Sequence, residues 1–566
     1  MVGSNCWSRV RALAALGILA ISSASFAQFD GPTPLAWRWA QSTSTSPGGN
    51  VVYGSDVVYA AVGRRVYALD KASGNQKWRY PVGDPYGANF RSGCVAGEGV
   101  IVATADNKTM VGIDMTSGQL KWQYNAPQAI VGAPVICGKF AVIALGDSSL
   151  MAVNLSDGGA AWSGTERIFD GILGSLGSYN DNILVFTQTF QLFAINVGNK
   201  KVTWQTRFTS LSPEVSATVF GDQIFVNSGD FITSVSGLNG AVRWQTNVGE
   251  PLAFAPAVST EAVASISRDG MAYLVNRTNG QRINRKGIDL ESLPVVSPSA
   301  VGNYFCFPTS NGSLNLVDAK GNVVWNYIMR PQTNYLQPTT PGGDAGGGGG
   351  GLAGGPSAGG RGGGGGLAGG PSAGGRGGGG GLAGGGAGGG SGTTAPPAFV
   401  VAACPVGIEG QTLFAMARDG SLFAFDKDLG VDLTAPRVRM LFPNPGEQIS
   451  NQPPMELLWR ITDDATGVNP ATIKVEAGGK ALDYRYTRDG FLSVEFGGDS
   501  KNPSPPLGRL TITVTVSDWM GNPSKSDFSV ICDATVSKPL GRPSDRAKPA
   551  SGSRGSGGGA GGGGAG

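Results

Sequence analysis

A short turn pattern that recurs along most of the chain constrains the fold more than any other feature of this sequence. In its first copy, Asp70 is followed by Gly74 four residues later and by Trp78 eight residues later. The first residues of six successive copies lie at positions 70, 114, 154, 196, 236 and 276, so the unit repeats every 40 to 44 residues. Such a period, with strand-like segments, predicts the blades of a β-propeller. The further copies are Asp114 with Gly118 and Trp122, Asn154 with Gly158 and Trp162, Asn196 with Trp204, Ser236 with Gly240 and Trp244, Asn276 with Gly280 and Asn284, Asp318 with Gly321 and Trp325, and Asp426 with Gly430.

One repeat unit contains four short strand-like runs. Residues 133–162 have apolar runs at 134–136, 141–145, 150–153 and 160–162, and each run has the length of a strand. The segments between them carry Gly, Asp and Ser, which favour tight turns. Four strands joined by hairpins predict one blade.

Each residue type in the pattern has a structural role. The side-chain oxygen of Asp or Asn accepts hydrogen bonds from main-chain N–H groups two residues ahead, and Gly tolerates positive φ. A buried Trp removes about 150 to 250 Å² of surface from water, which suits a filler between blades. We therefore expect these residues to form a structural docking motif. Small residues two positions before the turn residue are expected to leave room for a neighbouring ring: Ala68, Gly112, Ala152, Ala194, Ser234 and Ala424.

The pattern Ala-x-Asp-x-x-Ser/Thr-Gly-x-x-x-Trp resembles the tryptophan-docking motif of PQQ-like (pyrroloquinoline quinone) β-propeller repeats. That family includes quinoprotein alcohol dehydrogenases and the propeller lipoprotein of the outer-membrane barrel-assembly machinery. The resemblance covers roughly residues 35–430. It implies a propeller in which the motif holds blades together, and it says little about chemistry.

The predicted fold class is all-β, with an eight-bladed propeller closed by an N-terminal strand and followed by an immunoglobulin-like β-sandwich. The last copy of the motif, Asp426 with Gly430, has no tryptophan strand after it, whereas residues 35–40 carry two tryptophans with no turn before them. Pairing these two ends would close the ring and remove exposed sheet edges. A seven-bladed ring is the alternative.

The predicted domains are a signal peptide at 1–27, a propeller at 28–435, a sandwich at 436–535 and a disordered Gly-rich tail at 536–566. A Gly-rich insert at 341–396 interrupts the propeller, and it contains too few apolar side chains to offset the entropy of ordering it. Residues 462–468 and 516–523 resemble the turns of bacterial immunoglobulin-like modules. About 100 residues suit one β-sandwich.

The N-terminus predicts export. Arg9 and Arg11 precede an apolar run at 12–21, and small residues stand before Gln28. The run is about half the length of a membrane span, which favours a cleaved signal peptide and no transmembrane segment in the mature chain. Cys6 lies before this run, unlike the acylated cysteine of a lipoprotein. The mature protein is expected in the periplasm, at the cell envelope or outside the cell.

Five cysteines follow the predicted cleavage site, and this odd number leaves their pairing open. A disulfide such as Cys94 with Cys137 and unpaired buried thiols are both compatible with the spacing.

The chain contains no histidine. This excludes Ser-His-Asp and Cys-His nucleophile systems and His-ligated zinc. No catalytic and no cofactor-binding residue is predicted. Asp463, Asp464, Asp518 and Asn522 offer oxygen ligands for Ca²⁺, which needs six to eight of them, although Asx residues at strand ends more often cap turns.

The resulting prediction is a non-enzymatic scaffold that needs no cofactor and binds other proteins or envelope glycans. The 43 basic and 40 acidic residues give no charge excess that favours nucleic acid. Two alternatives are a PQQ-dependent quinoprotein dehydrogenase and a surface adhesin or glycan-binding protein. Phe90-Arg91 and Tyr335-Leu336 are candidates for exposed binding residues, although an aromatic side chain in a propeller is more often buried between blades.

Overall fold

The computed structural model describes residues 36–42, 45–332, 399–428, 430, 432–444, 447–453, 455–497, 500–537 and 542–544. Every named element in these ranges is a β-strand. The predicted signal peptide, the predicted Gly-rich insert and nearly all of the predicted tail lie outside the described residues. The described part of the chain has no apolar helix of membrane-spanning length.

The repeat region consists of short strands that follow one another closely. In chain order they are β1 (Ala36–Ser42), β2 (Val52–Tyr53), β3 (Val57–Val62), β4 (Arg65–Asp70), β5 (Gln76–Tyr80), β6 (Phe90–Gly97), β7 (Val100–Ala105), β8 (Thr109–Asp114), β9 (Leu120–Asn125), β10 (Ile130–Cys137), β11 (Phe140–Leu145), β12 (Ser149–Asn154), β13 (Glu166–Arg167), β14 (Ile172–Tyr179), β15 (Asn182–Thr187), β16 (Gln191–Asn196), β17 (Val202–Arg207), β18 (Thr218–Phe220), β19 (Gln223–Ser228), β20 (Phe231–Ser236), β21 (Val242–Asn247), β22 (Leu252–Val258), β23 (Ala262–Ser267), β24 (Met271–Asn276), β25 (Ile288–Asp289), β26 (Ser299–Val301), β27 (Tyr304–Pro308), β28 (Ser313–Val317), β29 (Val323–Ile328), β30 (Gly407–Glu409), β31 (Thr412–Met416) and β32 (Ser421–Asp426).

Within the described ranges these strands form eight four-stranded antiparallel sheets, which is the construction of propeller blades. Seven sheets each contain four consecutive strands, from β2–β5 to β26–β29. The eighth sheet has the order β1-β32-β31-β30, so its fourth strand comes from the beginning of the chain. The register of β1 on β32 runs from Ala36 opposite Asp426 to Ser42 opposite Ser421.

Neighbouring sheets share apolar cores because both faces of the central strands are buried. One cluster joins Val102 of β7 and Trp122 of β9 to Ile143 of β11 and Val153 of β12, which belong to the next sheet. The tryptophan therefore lies between two sheets, as its size favours.

The third complete sheet differs from the predicted strand pattern in its last strand. The run 160–162 forms only an isolated bridge, between Ala160 and Val153, and the fourth strand is β13. The chain leaves the sheet after Trp162 and returns at Glu166.

The C-terminal region forms two further sheets. Its strands are β33 (Arg437–Phe442), β34 (Gln448–Ser450), β35 (Met455–Thr462), β36 (Val468–Ala477), β37 (Lys480–Ala481), β38 (Arg485–Tyr486), β39 (Phe491–Phe496), β40 (Gly508–Asp518) and β41 (Pro523–Asp533). One sheet has the order β33-β35-β39-β38 and the other β34-β41-β40-β36-β37. Trp459 and Val494 of the first sheet share an apolar core with Val475 and Val514 of the second.

The five described cysteines are all buried and free: Cys94, Cys137, Cys306, Cys404 and Cys532. The structure thus has unpaired thiols in place of a Cys94–Cys137 disulfide.

Candidate functional site

The recurring Asp shapes a turn through its side-chain oxygen. Asp70 Oδ1 accepts hydrogen bonds from the main-chain nitrogens of Ala72 and Ser73, at 3.1 and 2.9 Å, and from the Ser73 hydroxyl at 2.8 Å. Burial opposes the charge of Asp70, but the hydrogen bonds from Ser73 and Lys77 hold its pKa below the usual value. The carboxylate therefore stabilises the turn in its ionised form.

Each indole nitrogen in the regular repeats donates to the same position of the next repeat. Trp78 Nε1 donates to the carbonyl of Met115, the residue after Asp114, at 3.0 Å. The acceptor is thus fixed one residue after the turn Asp, Asn or Ser, which ties consecutive sheets together. The equivalent bonds are Trp122 to Leu155 at 2.7 Å, Trp162 to Val197 at 2.8 Å, Trp204 to Gly237 at 2.8 Å and Trp244 to Arg277 at 3.0 Å.

Two small residues enclose the rings of the repeats whose following turn carries glycine. A Cβ added at Gly118 would lie 2.5 Å from Cδ2 of Trp78, the tryptophan of the preceding repeat. A Cβ added at Gly112 would lie 2.1 Å from Cε2 of Trp122, its partner on the adjacent strand. The small residue before the turn therefore accommodates the ring of its own repeat, while the turn glycine accommodates the ring of the preceding one. Gly158, Gly240 and Gly280 contact Trp122, Trp204 and Trp244 in the same way.

One irregular repeat keeps the turn but has Asn284 in place of the tryptophan that would contact the next sheet. Asn284 stands where Trp is expected, and its side chain bonds the Leu274 nitrogen at 2.7 Å and the Ala272 carbonyl at 3.1 Å within its own sheet. A Cβ added at Gly321, whose φ is +95°, would lie 3.6 Å from the Asn284 Cβ.

The last repeats depart further from the pattern. Asp318 Oδ1 accepts from the nitrogens of Lys320 and Asn322, at 2.9 and 2.8 Å. Asp426 is buried and accepts from the Asp428 nitrogen at 2.9 Å and from the Thr412 hydroxyl at 2.7 Å. Gly430 follows this turn after one undescribed residue.

Three buried carboxylates meet in the C-terminal region. One oxygen from each of Asp432, Asp463 and Asp518 lies within 4.8 Å of the others. Two of these aspartates were predicted as weak Ca²⁺ ligands, and Asp432 was not. Its position just before the first C-terminal strand, in an Asp-x-Thr sequence, is the signal that could have indicated it.

The cluster holds two turns together. Asp463 Oδ1 accepts from the nitrogens of Ala465, Thr466 and Gly467, at 3.1, 3.0 and 2.8 Å. Asp432 Oδ2 accepts from the Thr466 nitrogen at 3.1 Å and from its hydroxyl at 2.6 Å. These bonds fix the segment 463–467 from both sides.

The three carboxylates of the cluster shift one another's pKa values. Burial, together with the charges of Asp432 and Asp518, raises the pKa of Asp463 to about 6. Burial also raises the pKa of Asp518, with a further contribution from Asp432. The pKa of Asp432 is lowered despite burial, because Thr466 and Thr434 donate hydrogen bonds to it.

The other two predicted Ca²⁺ candidates have different positions. Asn522 donates to Asp518 Oδ2 at 2.6 Å and to the Asp432 carbonyl at 3.0 Å, so its side chain borders the cluster. Asp464 instead forms an ion pair with Arg330, with 2.9 Å between Oδ1 and Nε. The structure therefore places three of the four candidates together and separates Asp464 from them.

A cavity of about 710 Å³ lies where the first strands of several sheets converge. Glu214 is an acidic residue of its wall, and Cys404 contributes a single thiol. None of the described wall residues is Lys or Arg. The wall includes Asn50, Gly132, Gly174, Glu214, Phe254, Ser297 and Cys404.

Exposed apolar side chains follow the last strand of three sheets. Phe169, just after β13, is 90% exposed, and the Arg167 guanidinium lies 5.9 Å from its ring centroid. Val82 follows β5 and Leu293 follows β25, and both are exposed. All three lie on the same kind of connection, from the fourth strand of one sheet to the first strand of the next. We call Val82, Phe169 and Leu293 the apolar rim.

The candidates for exposed binding residues differ in their exposure. Phe90 is buried, in a cluster with Tyr59 and Ala103, so it is not an exposed binding residue and the alternative of burial between blades applies. Arg91 is exposed and pairs with Asp106 at 3.0 Å. Tyr335 and Leu336 lie outside the described residues.

Comparison with known proteins gives one matching family model, described as outer membrane protein assembly factor BamB (PQQ_2), over residues 35–167, 165–292 and 193–337. No curated protein matches the sequence. Similar solved structures include BamB from Moraxella catarrhalis, which is 11% identical with a TM-score of 0.47 over 69% of this chain and 99% of that chain. The computationally designed Ika8 protein is 10% identical, with a TM-score of 0.47 over 69% of this chain and 99% of that chain. A europium-containing methanol dehydrogenase is 14% identical, with a TM-score of 0.40 over 52% of this chain and 80% of that chain.

Proposed function

Because the chain belongs to the PQQ_2 family, described as outer membrane protein assembly factor BamB, we propose that it is an exported, non-enzymatic scaffold that binds proteins of the cell envelope. The observation that carries this proposal is the use of the motif: its carboxylates are occupied by turns and its indoles by sheet-to-sheet contacts. The motif thus builds a rigid support, and binding falls to the loops.

The apolar rim is the proposed binding surface. Aromatic side chains are enriched at the centres of protein interfaces, and Phe169 exposes nearly its whole ring beside Arg167. A protein partner would cover this ring and remove it from water, which supplies a driving force in proportion to the apolar area buried.

We infer that the propeller has eight blades and that β1 closes it. Eight four-stranded sheets in the described ranges support this count, and the pairing of β1 with β32 supports the closure. The C-terminal region is proposed to be an immunoglobulin-like β-sandwich. Its two sheets and their shared core, over about 100 residues, support that assignment.

A quinoprotein dehydrogenase is the alternative that the family resemblance raises. The cavity wall does not fit the cofactor, because pyrroloquinoline quinone carries carboxylates and the described wall offers an acidic side chain and no Lys or Arg. Adjacent cysteines, which those enzymes place against the quinone, do not occur in the sequence. We derive no reaction through this group.

The carboxylate cluster is proposed to shape turns. Its oxygens accept hydrogen bonds from the segments 432–434, 463–467 and 518–522, and Ca²⁺ would have to displace several of these donors. A Ca²⁺ titration followed by thermal unfolding tests the weaker prediction of a metal site. A rise in Tm with millimolar Ca²⁺ that Mg²⁺ does not reproduce, and that Asp518→Asn removes, would overturn the turn-shaping role.

The proposed location is the periplasm, the cell envelope or the extracellular space. The described residues do not include the predicted signal peptide at 1–27, so this rests on the sequence and on the family. Envelope glycans are a second class of partner, as for a surface adhesin.

Retention of envelope proteins tests the proposed function. Residues 28–566, immobilised and exposed to an envelope extract, are expected to retain specific proteins, and Phe169→Ala is expected to reduce retention without changing Tm. Phe190→Ala is the matched control, because Phe190 is a less exposed ring on a neighbouring turn. A quinone-like absorbance together with dye-linked alcohol oxidation after reconstitution with quinone and Ca²⁺ would overturn the proposal. Retention of glycans alone would favour the adhesin.

A further inference from the structure

The tryptophan of the seventh complete sheet breaks the regular docking rule. Trp325 Nε1 donates to the carbonyl of Thr466 in the C-terminal region, at 3.1 Å, and the indole is fully buried. In the regular repeats the acceptor belongs to the turn of the next repeat. Here it belongs to a turn that lies 141 residues later in the chain.

The acceptor turn has the sequence pattern and the hydrogen bonds of the repeat turns, although its acceptor carbonyl, Thr466, is the third residue after the Asp and not the first. Asp463-Asp464-Ala465-Thr466-Gly467 repeats the Asp-x-x-Ser/Thr-Gly sequence of the motif. Asp463 Oδ1 accepts from the nitrogens two and three residues ahead, at 3.1 and 3.0 Å, as Asp70 Oδ1 does at 3.1 and 2.9 Å. Gly467 has a φ of +87°, and Gly74 has a φ of +73°.

The glycine of this turn also lies against the tryptophan-bearing strand, although it meets residues next to Trp325 and not the indole itself. A Cβ added at Gly467 would lie 2.8 Å from the Asn326 carbonyl oxygen and 3.4 Å from Cδ2 of Tyr327. Gly118 approaches Trp78 of the preceding repeat in a similar way. Both turns therefore need a residue without a side chain where they meet the tryptophan-bearing strand.

Further contacts join the same two surfaces. The Tyr327 hydroxyl donates to the Asp464 carbonyl at 2.7 Å, and Arg330 pairs with the Asp464 carboxylate at 2.9 Å. Trp519 packs against the apolar cluster that contains Trp325 and Tyr327. Buried indole and tyrosine rings on this edge would otherwise face water.

We propose that the segment 463–467 is a surrogate docking turn, which takes the place of the next repeat's turn and makes the C-terminal region a fixed part of the propeller. The two regions then present one continuous surface to a partner, and the C-terminal region is not a freely tethered appendage. This inference stands on its own contacts and does not depend on the proposed function.

A pair of glycine substitutions in the full chain tests the proposal. Gly467→Ala and Gly479→Ala both place a side chain at positive φ, +87° and +79°, but only the first meets the propeller, since nothing lies within 4 Å of a Cβ at Gly479 in the β36–β37 hairpin. Hydrogen exchange of β29 and small-angle scattering are the readouts. Gly467→Ala is expected to speed exchange in β29 about fivefold or more and to increase the radius of gyration, whereas Gly479→Ala leaves both unchanged. Equal behaviour of the two variants overturns the proposal.

Trp325→Phe provides a second test. It removes the N–H donor together with part of a fully buried ring, so it is compared with a variant that removes the same atoms elsewhere. Loss of one hydrogen bond of about 1 kcal/mol corresponds to about a fivefold increase in opening between the regions. Trp204→Phe is the matched control, because it removes the same kind of bond, to Gly237, inside the ring. The proposal fails if Trp325→Phe leaves the exchange of segment 463–467 unchanged, or if Trp204→Phe increases it equally.

Discussion

The ammonium group of Lys200 lies 5.5 Å from the ring centroid of Trp162. Lys200 occupies the position that glycine holds in the regular repeats, and its φ of +62° is in the same left-handed region. The repeat that begins at Asn196 thus keeps the turn conformation without glycine. A cation over the indole face replaces the close contact that glycine makes elsewhere.

Substitution of Lys200 separates two contributions to stability: the cost of a non-glycine residue at positive φ and the cation–π contact with Trp162. Lys200→Gly removes the cost of a left-handed residue, about 1 to 2 kcal/mol, and loses about 0.5 to 1 kcal/mol of attraction to the ring. Lys200→Ala also loses the attraction to the Trp162 ring, but it keeps the free-energy cost of a non-glycine residue at positive φ. Urea unfolding is therefore expected to give a glycine variant that is about 1 kcal/mol more stable than the alanine variant. Equal stabilities would show that φ at this position carries no cost.

Gly118 and Gly99 form a matched pair for the docking contact. Their φ values are +71° and +75°, but a Cβ at Gly118 would meet the Trp78 ring at 2.5 Å, whereas nothing lies within 4 Å of one at Gly99. We expect Gly118→Ala to destabilise the protein by about 1 to 3 kcal/mol more than Gly99→Ala, because the ring must move. Thermal unfolding of both variants measures the difference, and similar losses would contradict the packing role of the turn glycine.

The repeated part of the fold follows from local rules that a sequence displays. Asp70 shapes its turn because its oxygen reaches nitrogens only two and three residues away, and the spacing of Trp78 places the ring on the next strand. The acceptor of each indole was not predictable, because it lies in another repeat and depends on how the sheets approach. The copy at Asn196 visibly lacks the glycine, but the contact of Lys200 with Trp162 was not predictable, because the ring belongs to the preceding repeat.

The candidate sites depend on contacts between distant segments. Asp432 joins Asp463 and Asp518 only after the strands between them pair, and the Asp-x-Thr sequence at 432–434 indicates a turn without indicating which residues it meets. Exposure is equally non-local: Phe90 and Phe169 are both aromatic residues near strand ends, but one is buried and the other is not. The similarity of the segment 463–467 to the repeat turns was visible in the sequence as an Asp-x-x-Thr-Gly pattern outside the regular period.

Removal of β1 tests the closure of the ring. β1 pairs along β32 from Ala36 to Ser42, so a chain without residues 36–42 exposes the edge of β32. Exposed edges template association with other strands. We expect this deletion to lower Tm and to cause concentration-dependent association in size-exclusion chromatography. A deletion of residues 28–34, which leaves β1 in place, is the control, and equal behaviour of the two deletions would contradict closure by β1.

The pH dependence of stability tests the charge state of the carboxylate cluster. The pKa of Asp463 is about 6 in the folded protein and 3.8 for an ordinary Asp, so the folded state binds this proton more tightly than the unfolded chain does. Stability is therefore expected to decrease as the pH rises from about 4 to about 6. Asp463→Asn removes the charge while its amide oxygen can still accept from Ala465, Thr466 and Gly467.

Urea unfolding between pH 4 and 7 should accordingly show a shallower decrease for Asp463→Asn and a more stable variant near pH 7. The decrease is reduced and not abolished, because the pKa of Asp518 is also raised. Asp464→Asn is the control at the neighbouring position, since this carboxylate pairs with Arg330 outside the cluster. If Asp463→Asn follows the parent curve between pH 4 and 7, the carboxylate cluster is not the source of the pH dependence.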